Sequence, residues 1–315
     1  MTGGAIFQGR AMATASWPPE GAPPLFLVPM DGSAEAASAL GVALRLAAAS
    51  GGRVAALHVS RPGLLTRRRP LPPSSLAEFA HHGEDDAEEA RLAMLPASVW
   101  AKASGVPVDL FGARGTPAQA VLACAKAVNA TMVVMGAHGK SARSGGKTLG
   151  SVAHEVYGAL RTTTAVVPPK AVRDSDALAR TFGAPPEGPV VGPKVIAAID
   201  GGPGSDEVTR ASVEIASRTR GALRIFSGAP AYPGADVKPL VTAAQEAALA
   251  ALVQFKVDIG ASDALAGLVG LSEQEPDALI VVGARAAVGR APGEVGSFTQ
   301  KLLESARCAV AVVRV

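Results

Sequence analysis

The stretch VVMGAHGKSARSGGKTLGS, Val133 to Ser151, holds five glycines, two lysines, an arginine and several hydroxyls directly after an apolar run. Those residue types suit a phosphate. Glycines admit close backbone approach, N–H and O–H groups donate, and basic side chains supply countercharge. A Walker A loop needs G-x-x-x-x-G-K-[ST], whose backbone wraps one phosphate while its lysine reaches the terminal one. Gly146, Lys147 and Thr148 supply the end of that motif, but Ser141 stands where its first glycine belongs. Gly139, Lys140 and Ser141 fail likewise, with Val134 in the first-glycine place. A motor or kinase loop is therefore set aside. A second reading uses a helix end. Gly136 and Gly139 follow a strand, Gly150 and Ser151 open a helix, and Ser151 is the expected N-cap. The free N–H groups and partial positive charge at such an end attract phosphate. Lys140, Arg143 and Lys147 add loose countercharge.

The elements that must carry this loop come in two copies. LFLVPMDGS (25–33) and KVIAAIDGG (194–202) are both apolar runs closed by Asp-Gly. Helical spacing follows each, through Leu40, Ala43, Leu44 and Ala47 in one and Val208, Ala211, Ile215 and Ala216 in the other. Each helix is expected to end on a C-cap glycine, Gly52 or Gly221, 21 residues after Asp31 or Asp200. RVAALHV then parallels ALRIFSG, ATMVVMGAHG parallels DALIVVGARA, and GSVAHEVYGALRTTTAVVP parallels GSFTQKLLESARCAVAVVRV.

Each copy reads as five strands alternating with four helices. The strands are continuous apolar runs, which predicts an α/β fold with a parallel sheet covered on both faces. From the Asp to the fourth-strand Gly takes 105 residues in the first copy and 83 in the second. That surplus is assigned to the Pro- and Arg-rich loop 61–75. The expected organisation is a disordered tail at 1–24, a domain at 25–168, a linker at 169–189 and a shorter domain at 190–315.

Composition agrees with two packed domains: 315 residues, 48% hydrophobic and 18% charged. With only 4% aromatics, the cores must be aliphatic. A net charge of +3 is too balanced to mark a nucleic-acid or membrane surface. Cys124 and Cys308 lie far apart, as in a reducing cytoplasm. No apolar run reaches the roughly 18 residues of a membrane helix. The N-terminus lacks the pattern of a signal peptide.

Several residues have plainer readings. Asp31 could cap the helix that follows it. His138 reads as a polar wall residue rather than a base. HHGEDDAEE (81–89) matches no metal-site spacing and reads as a solvated acidic helix start. Arg67, Arg68 and Arg69 read as a solvated loop. Cys124 falls on the apolar face of a helix opened by Thr116, Pro117 and Gln119. It and Cys308 are expected in the core.

At this point the chain resembles the universal stress protein family in a tandem form. The family's nucleotide-binding members carry G-x-x-G, nine residues, then G-[ST]. The first copy has Gly136-Ala-His-Gly139 and Gly150-Ser151 with ten residues between them. The second has the right spacing to Gly296-Ser297, but Ala286 replaces the second glycine. VPMDGS (28–33) resembles the family's opening strand.

The resemblance implies two doubly wound domains, each a five-stranded parallel sheet in order 3-2-1-4-5 with a crevice at the carboxyl ends of strands 1 and 4. It implies an adenine nucleotide, ATP first and AMP or another adenine nucleotide as alternatives, with magnesium allowed. Pro29, Met30, Asp31, Val59, Gly136, His138, Gly139, Gly150, Ser151 and Val152 would surround it. Asp200, Gly283, Arg285, Gly296 and Ser297 are the second-copy counterparts. Gly228 answers to Val59 and offers no apolar wall. The first copy is thus expected to bind better. The resemblance also implies a stress sensor or regulator whose terminal strands pair as an internal pseudo-dimer, with a homodimer or protein partner beyond it. A scaffold without nucleotide and a slow ATPase or nucleotidyl transferase are the alternatives.

Overall fold

The structure is a computed structural model. It describes residues 17–18, 22–60, 74–75, 84–140, 149–160, 162–173, 178, 191–202, 204–228, 236–260, 263–284 and 296–314. In the first half, β1 (Leu25–Pro29), α1 (Ala34–Ser50), β2 (Arg53–Ser60), β3 (Ser74–Ser75), α2 (Glu84–Ser104) and β4 (Val108–Arg114) lead to α3 (Pro117–Ala127), β5 (Met132–Gly136), α4 (Ser151–Ala159) and β6 (Thr163–Val167). The second half runs β7 (Val195–Ala198), α5 (Ser205–Thr219), β8 (Leu223–Ser227), α6 (Lys238–Ala250), β9 (Phe255–Ile259), α7 (Ala264–Gln274), β10 (Leu279–Ala284), α8 (Ser297–Ser305) and β11 (Ala309–Arg314).

All strands join one 11-stranded sheet, in order β3-β4-β2-β1-β5-β6-β11-β10-β7-β8-β9. Apart from the two-residue β3, each half is a parallel five-stranded sheet in the expected 3-2-1-4-5 order. β3 pairs antiparallel with β4 and lies within the stretch expected to be loop. Part of the first half's surplus sits in α2, which has 21 residues against 13 in α6.

The seam is antiparallel, with Val310 opposite Val166 and Ala311 opposite Ala165 on β11 and β6. The two copies therefore form the expected pseudo-dimer inside one chain. The antiparallel seam also sends the carboxyl ends of the two half-sheets to opposite ends of the molecule.

Every central strand is buried on both sides, which is why its sequence does not alternate. One face packs α1, α2, α5 and α6 through Leu40, Met94, Ile215 and Val241. The other packs α3, α4, α7 and α8 through Val121, Val156, Leu268 and Leu302. Both clusters cross the seam, and burying each such leucine or isoleucine contributes about 1.5–3 kcal/mol. Cys124 and Cys308 lie within the second cluster. Burial pushes their thiols up to about 11 and about 12, so neither is a neutral-pH nucleophile.

Three expectations need correction. The C-cap of α1 is Gly51, left-handed at φ 64°, and that of α5 is Arg220 at φ 54°. Gly52 and Gly221 follow them for a steric reason: an added Cβ would lie 2.6 Å from the Pro24 carbonyl oxygen or 2.5 Å from that of Pro193. The presumed disordered tail is anchored at its end. Trp17 is buried and meets Phe26 edge-on at 5.7 Å between ring centres, while the Pro18 carbonyl accepts from Arg218. Residues 1–16 lie outside the described residues. Within the expected linker, Pro169–Ala171 form a 3₁₀ turn and Leu178 is buried. Among the described residues no helix is long and apolar enough to cross a membrane.

Candidate functional site

β1 and β5 are neighbours, and the chain leaves them towards opposite faces of the sheet, which opens a crevice at their carboxyl ends. Asp31 sits on the β1 side. Its Oδ1 accepts from the Ser33 N–H at 3.0 Å, and its Oδ2 accepts from the Lys140 N–H at 2.7 Å. The second bond spans 109 positions and ties the end of β1 to the turn after β5. The helix-capping alternative for Asp31 is thereby corrected. Ser33 is the N-cap of α1, its Oγ accepting from the Ala36 N–H at 3.1 Å.

The glycines have distinct reasons. A Cβ on Gly139 would lie 2.5 Å from Asp31 Oδ2, inside the clasp. One on Gly136 would lie 2.5 Å from Glu35 Cβ, because the first turn of α1 leans over the end of β5. Gly150 donates its N–H to the Ala137 carbonyl at 2.8 Å, bringing the start of α4 back against the same turn. Asp31, Gly136, His138, Gly139, Gly150 and Ser151 therefore meet at one place. His138 is half-buried there.

Ser151 was expected as N-cap of α4. The N-cap is instead Gly150, with extended backbone and no side-chain cap bond, and Ser151 is the first helical residue. Gly296 and Ser297 of α8 repeat the arrangement. A serine cap would occupy one of its own helix's free N–H groups. A glycine cap leaves the first-turn donors, those of Ser151 and Val152 included, to another acceptor. Thr116 caps α3 as expected, without a hydroxyl bond, and Pro117 takes the first position.

Pro29 pairs with Leu57 across β1 and β2, and the Met30 N–H donates to the Leu57 carbonyl. Val59 follows two residues later, half-buried on the sheet face that carries α3 and α4. His58 faces the other way and was missed in the sequence, although a histidine inside an apolar strand is a visible anomaly. It is buried, and its Nδ1 lies 2.8 Å from the Met30 carbonyl oxygen. A carbonyl only accepts, so Nδ1 donates to it. Its Nε2 and the Ser60 Oγ are buried and have no hydrogen-bond partner among the described residues.

The second-half site lies at the other end of the sheet. Asp200 accepts from the Gly202 N–H at 2.9 Å and from the Ser205 hydroxyl at 3.4 Å. A Cβ on Gly228 would lie 2.6 Å from Ala264 Cα, so the start of α7 leaves no room for a wall residue there. Gly283 lies in β10. Arg285 and Ala286 lie outside the described residues, as do Arg67 to Arg69, Arg143 and Lys147.

Residues 26–168 match the model of the universal stress protein family. A search of curated proteins finds no match. A universal stress protein from Archaeoglobus fulgidus DSM 4304 aligns over 92% of this chain and 98% of its own, with a TM-score of 0.61 and 18% identity. A functionally unknown protein from Pseudomonas aeruginosa PAO1 aligns over 93% of each chain, with a TM-score of 0.54 and 15% identity. At such identities the likeness is one of fold, and it extends over both halves.

Proposed function

Because residues 26–168 belong to the universal stress protein family, we propose that this half binds an adenine nucleotide, ATP foremost, and that the chain is a nucleotide-dependent sensor or regulator of the stress response. The observation that carries the reading is the bond from Lys140 N–H to Asp31 Oδ2, which closes the ends of β1 and β5 around one crevice. Asp31 retains lone pairs for an adenine amino group or nearby backbone. Pro29, Met30 and Val59 flank the base; Gly136, His138 and Gly139 line the ribose and first phosphates. Gly150 lets the terminal phosphates approach, and Ser151 and Val152 present free N–H groups to them, with magnesium as countercharge. The second half, with Asp200, Gly283, Arg285, Gly296 and Ser297, binds more weakly or serves as scaffold, a reading favoured by the closed space at Gly228. The protein works in the cytoplasm, with a protein partner or a second copy as its output.

Native mass spectrometry and titration calorimetry of the full chain test this. Co-purified or saturably bound ATP at one site per chain, weakened at least tenfold by Asp31→Ala, is the expected result. A chain that stays empty with added ATP and magnesium overturns it. Multiple turnover of ATP would instead support the ATPase alternative.

A further inference from the structure

A cavity of about 120 Å³ opens at the seam between the two halves, away from the nucleotide crevice. From the first half it takes one side of α1, at Ser38, Val42 and Arg45, together with Val167, Arg173 and Leu178. From the second half it takes Asp277, in the α7–β10 turn, and Ala309. β6 ends here where β11 begins, so the cavity lies at the same end of the sheet as Asp31.

The polar side is rich in donors. Arg45 and Arg173 both bond Oδ1 of the same carboxylate, Asp277, the second at 2.9 Å. Two guanidiniums against one carboxylate leave one positive charge without a partner among the described residues. Arg45 Nε is buried and has no acceptor among the described residues. Ser38 is buried, and its Oγ accepts from the Arg173 N–H at 3.0 Å, which leaves its own proton free to donate. The arrangement is particular to this side of the seam. Glu214 stands as far behind Asp200 in α5 as Arg45 stands behind Asp31 in α1. The opposite side is acidic at that position, and it is engaged by the Trp17 N–H.

We propose that this seam cavity is a binding site for a small organic monocarboxylate. Its head takes the spare donors of Arg45, Arg173 and Ser38, and its short aliphatic body lies along Val42, Val167 and Leu178. A cavity of roughly 150 Å³ holds a benzene ring, so a body of about four carbons suits this one. Such a ligand bridges both halves and sits against α1, the helix capped by Ser33.

Titration of the full chain with butyrate, monitored by calorimetry or ligand-observed NMR, tests the proposal against n-butanol, n-butylammonium and inorganic phosphate. Saturable binding of butyrate, at least tenfold tighter than of the other three, is expected. Arg45→Ala and Arg173→Ala should each weaken it at least tenfold. Asp277→Asn is the decisive variant. It removes the carboxylate that competes for both guanidiniums, so butyrate affinity should rise several-fold even though the seam loses ion pairs. Equal binding of butanol or phosphate, or no saturable butyrate binding, overturns the proposal. So does an Asp277→Asn chain whose affinity is unchanged or lower, whether or not the arginine variants fold. None of these readouts depends on ATP, so the proposal stands or falls apart from nucleotide binding.

Discussion

At the scale of single residues, the clasp between Asp31 and the turn after β5 makes a sharp demand. Gly139→Ala would drive a methyl to 2.5 Å from Asp31 Oδ2, so the carboxylate or the turn must move. We expect nucleotide affinity to fall at least tenfold, about 1.4 kcal/mol, with a change in melting temperature of only a few degrees. Calorimetric titration beside a thermal melt checks it, and wild-type affinity in the variant would show that the clasp is not part of the site. No described atom lies within 4 Å of a Cβ added at Gly296, so Gly296→Ala should leave stability within about 0.5 kcal/mol of wild type. The motif letters G-x-x-G and G-S were legible in the sequence. The clasp was not, because the bond joins a side chain to a backbone N–H 109 positions away, and a backbone donor leaves no residue-type signature. Glu35 was missed for a related reason: its role against Gly136 is one of packing and involves no polar group.

At the scale of elements, two close approaches fix the helices against the sheet. Gly52→Ala would set a Cβ 2.6 Å from the Pro24 carbonyl oxygen, which is backbone and cannot rotate away. Overpacking of that kind costs about 1–3 kcal/mol, to be read from urea denaturation. A smaller loss would mean that the α1–β2 connection yields. The N-terminal anchor offers a pH test. Burial raises the Glu214 carboxyl, and Arg218, Arg210 and the Trp17 N–H only partly offset it. A carboxyl raised in the fold favours the native state at low pH and loses that contribution as pH rises through its folded value. Glu214→Gln, which keeps an acceptor for Trp17, should therefore melt higher than wild type at pH 7 and nearly equal to it at pH 4. A constant difference across that range would show that its charge is not the cause. The sequence predicted these helices well, because apolar spacing and capping residues are local. It erred by one residue at Gly52, Gly221 and Ser151, where the tertiary approach of another strand or the absence of a side-chain cap settled the boundary.

At the scale of the whole molecule, both hydrophobic clusters run through the seam. Urea unfolding should therefore be a single transition, coincident by far-UV circular dichroism and tryptophan fluorescence. Two separated transitions would show that the halves are independent folding units. The Asp277 carboxylate adds a pH-dependent term there. Burial pushes it up, but Arg45 and Arg173 outweigh burial and hold it below the ordinary carboxylate range. A lowered carboxyl stabilises the fold above its unfolded value and loses that effect as pH falls through its folded one. Asp277→Asn should therefore destabilise the chain at pH 7 and converge on wild type in acid below the Asp277 transition, as thermal melts across pH will show.

The sequence by itself determined that two like α/β units follow one another, that their strands are parallel and doubly covered, and that an acidic strand end and a glycine turn belong to one crevice. Repetition and apolar periodicity are properties of neighbouring residues, and they survive in one dimension. Only the tertiary structure decided which terminal strands meet, that they meet antiparallel, and that the two crevices face opposite ways. It alone placed Arg45 and Arg173 on one carboxylate of the other half. Such pairings arise when buried strand edges must find partners, and the distance along the chain then carries no information about the distance in space.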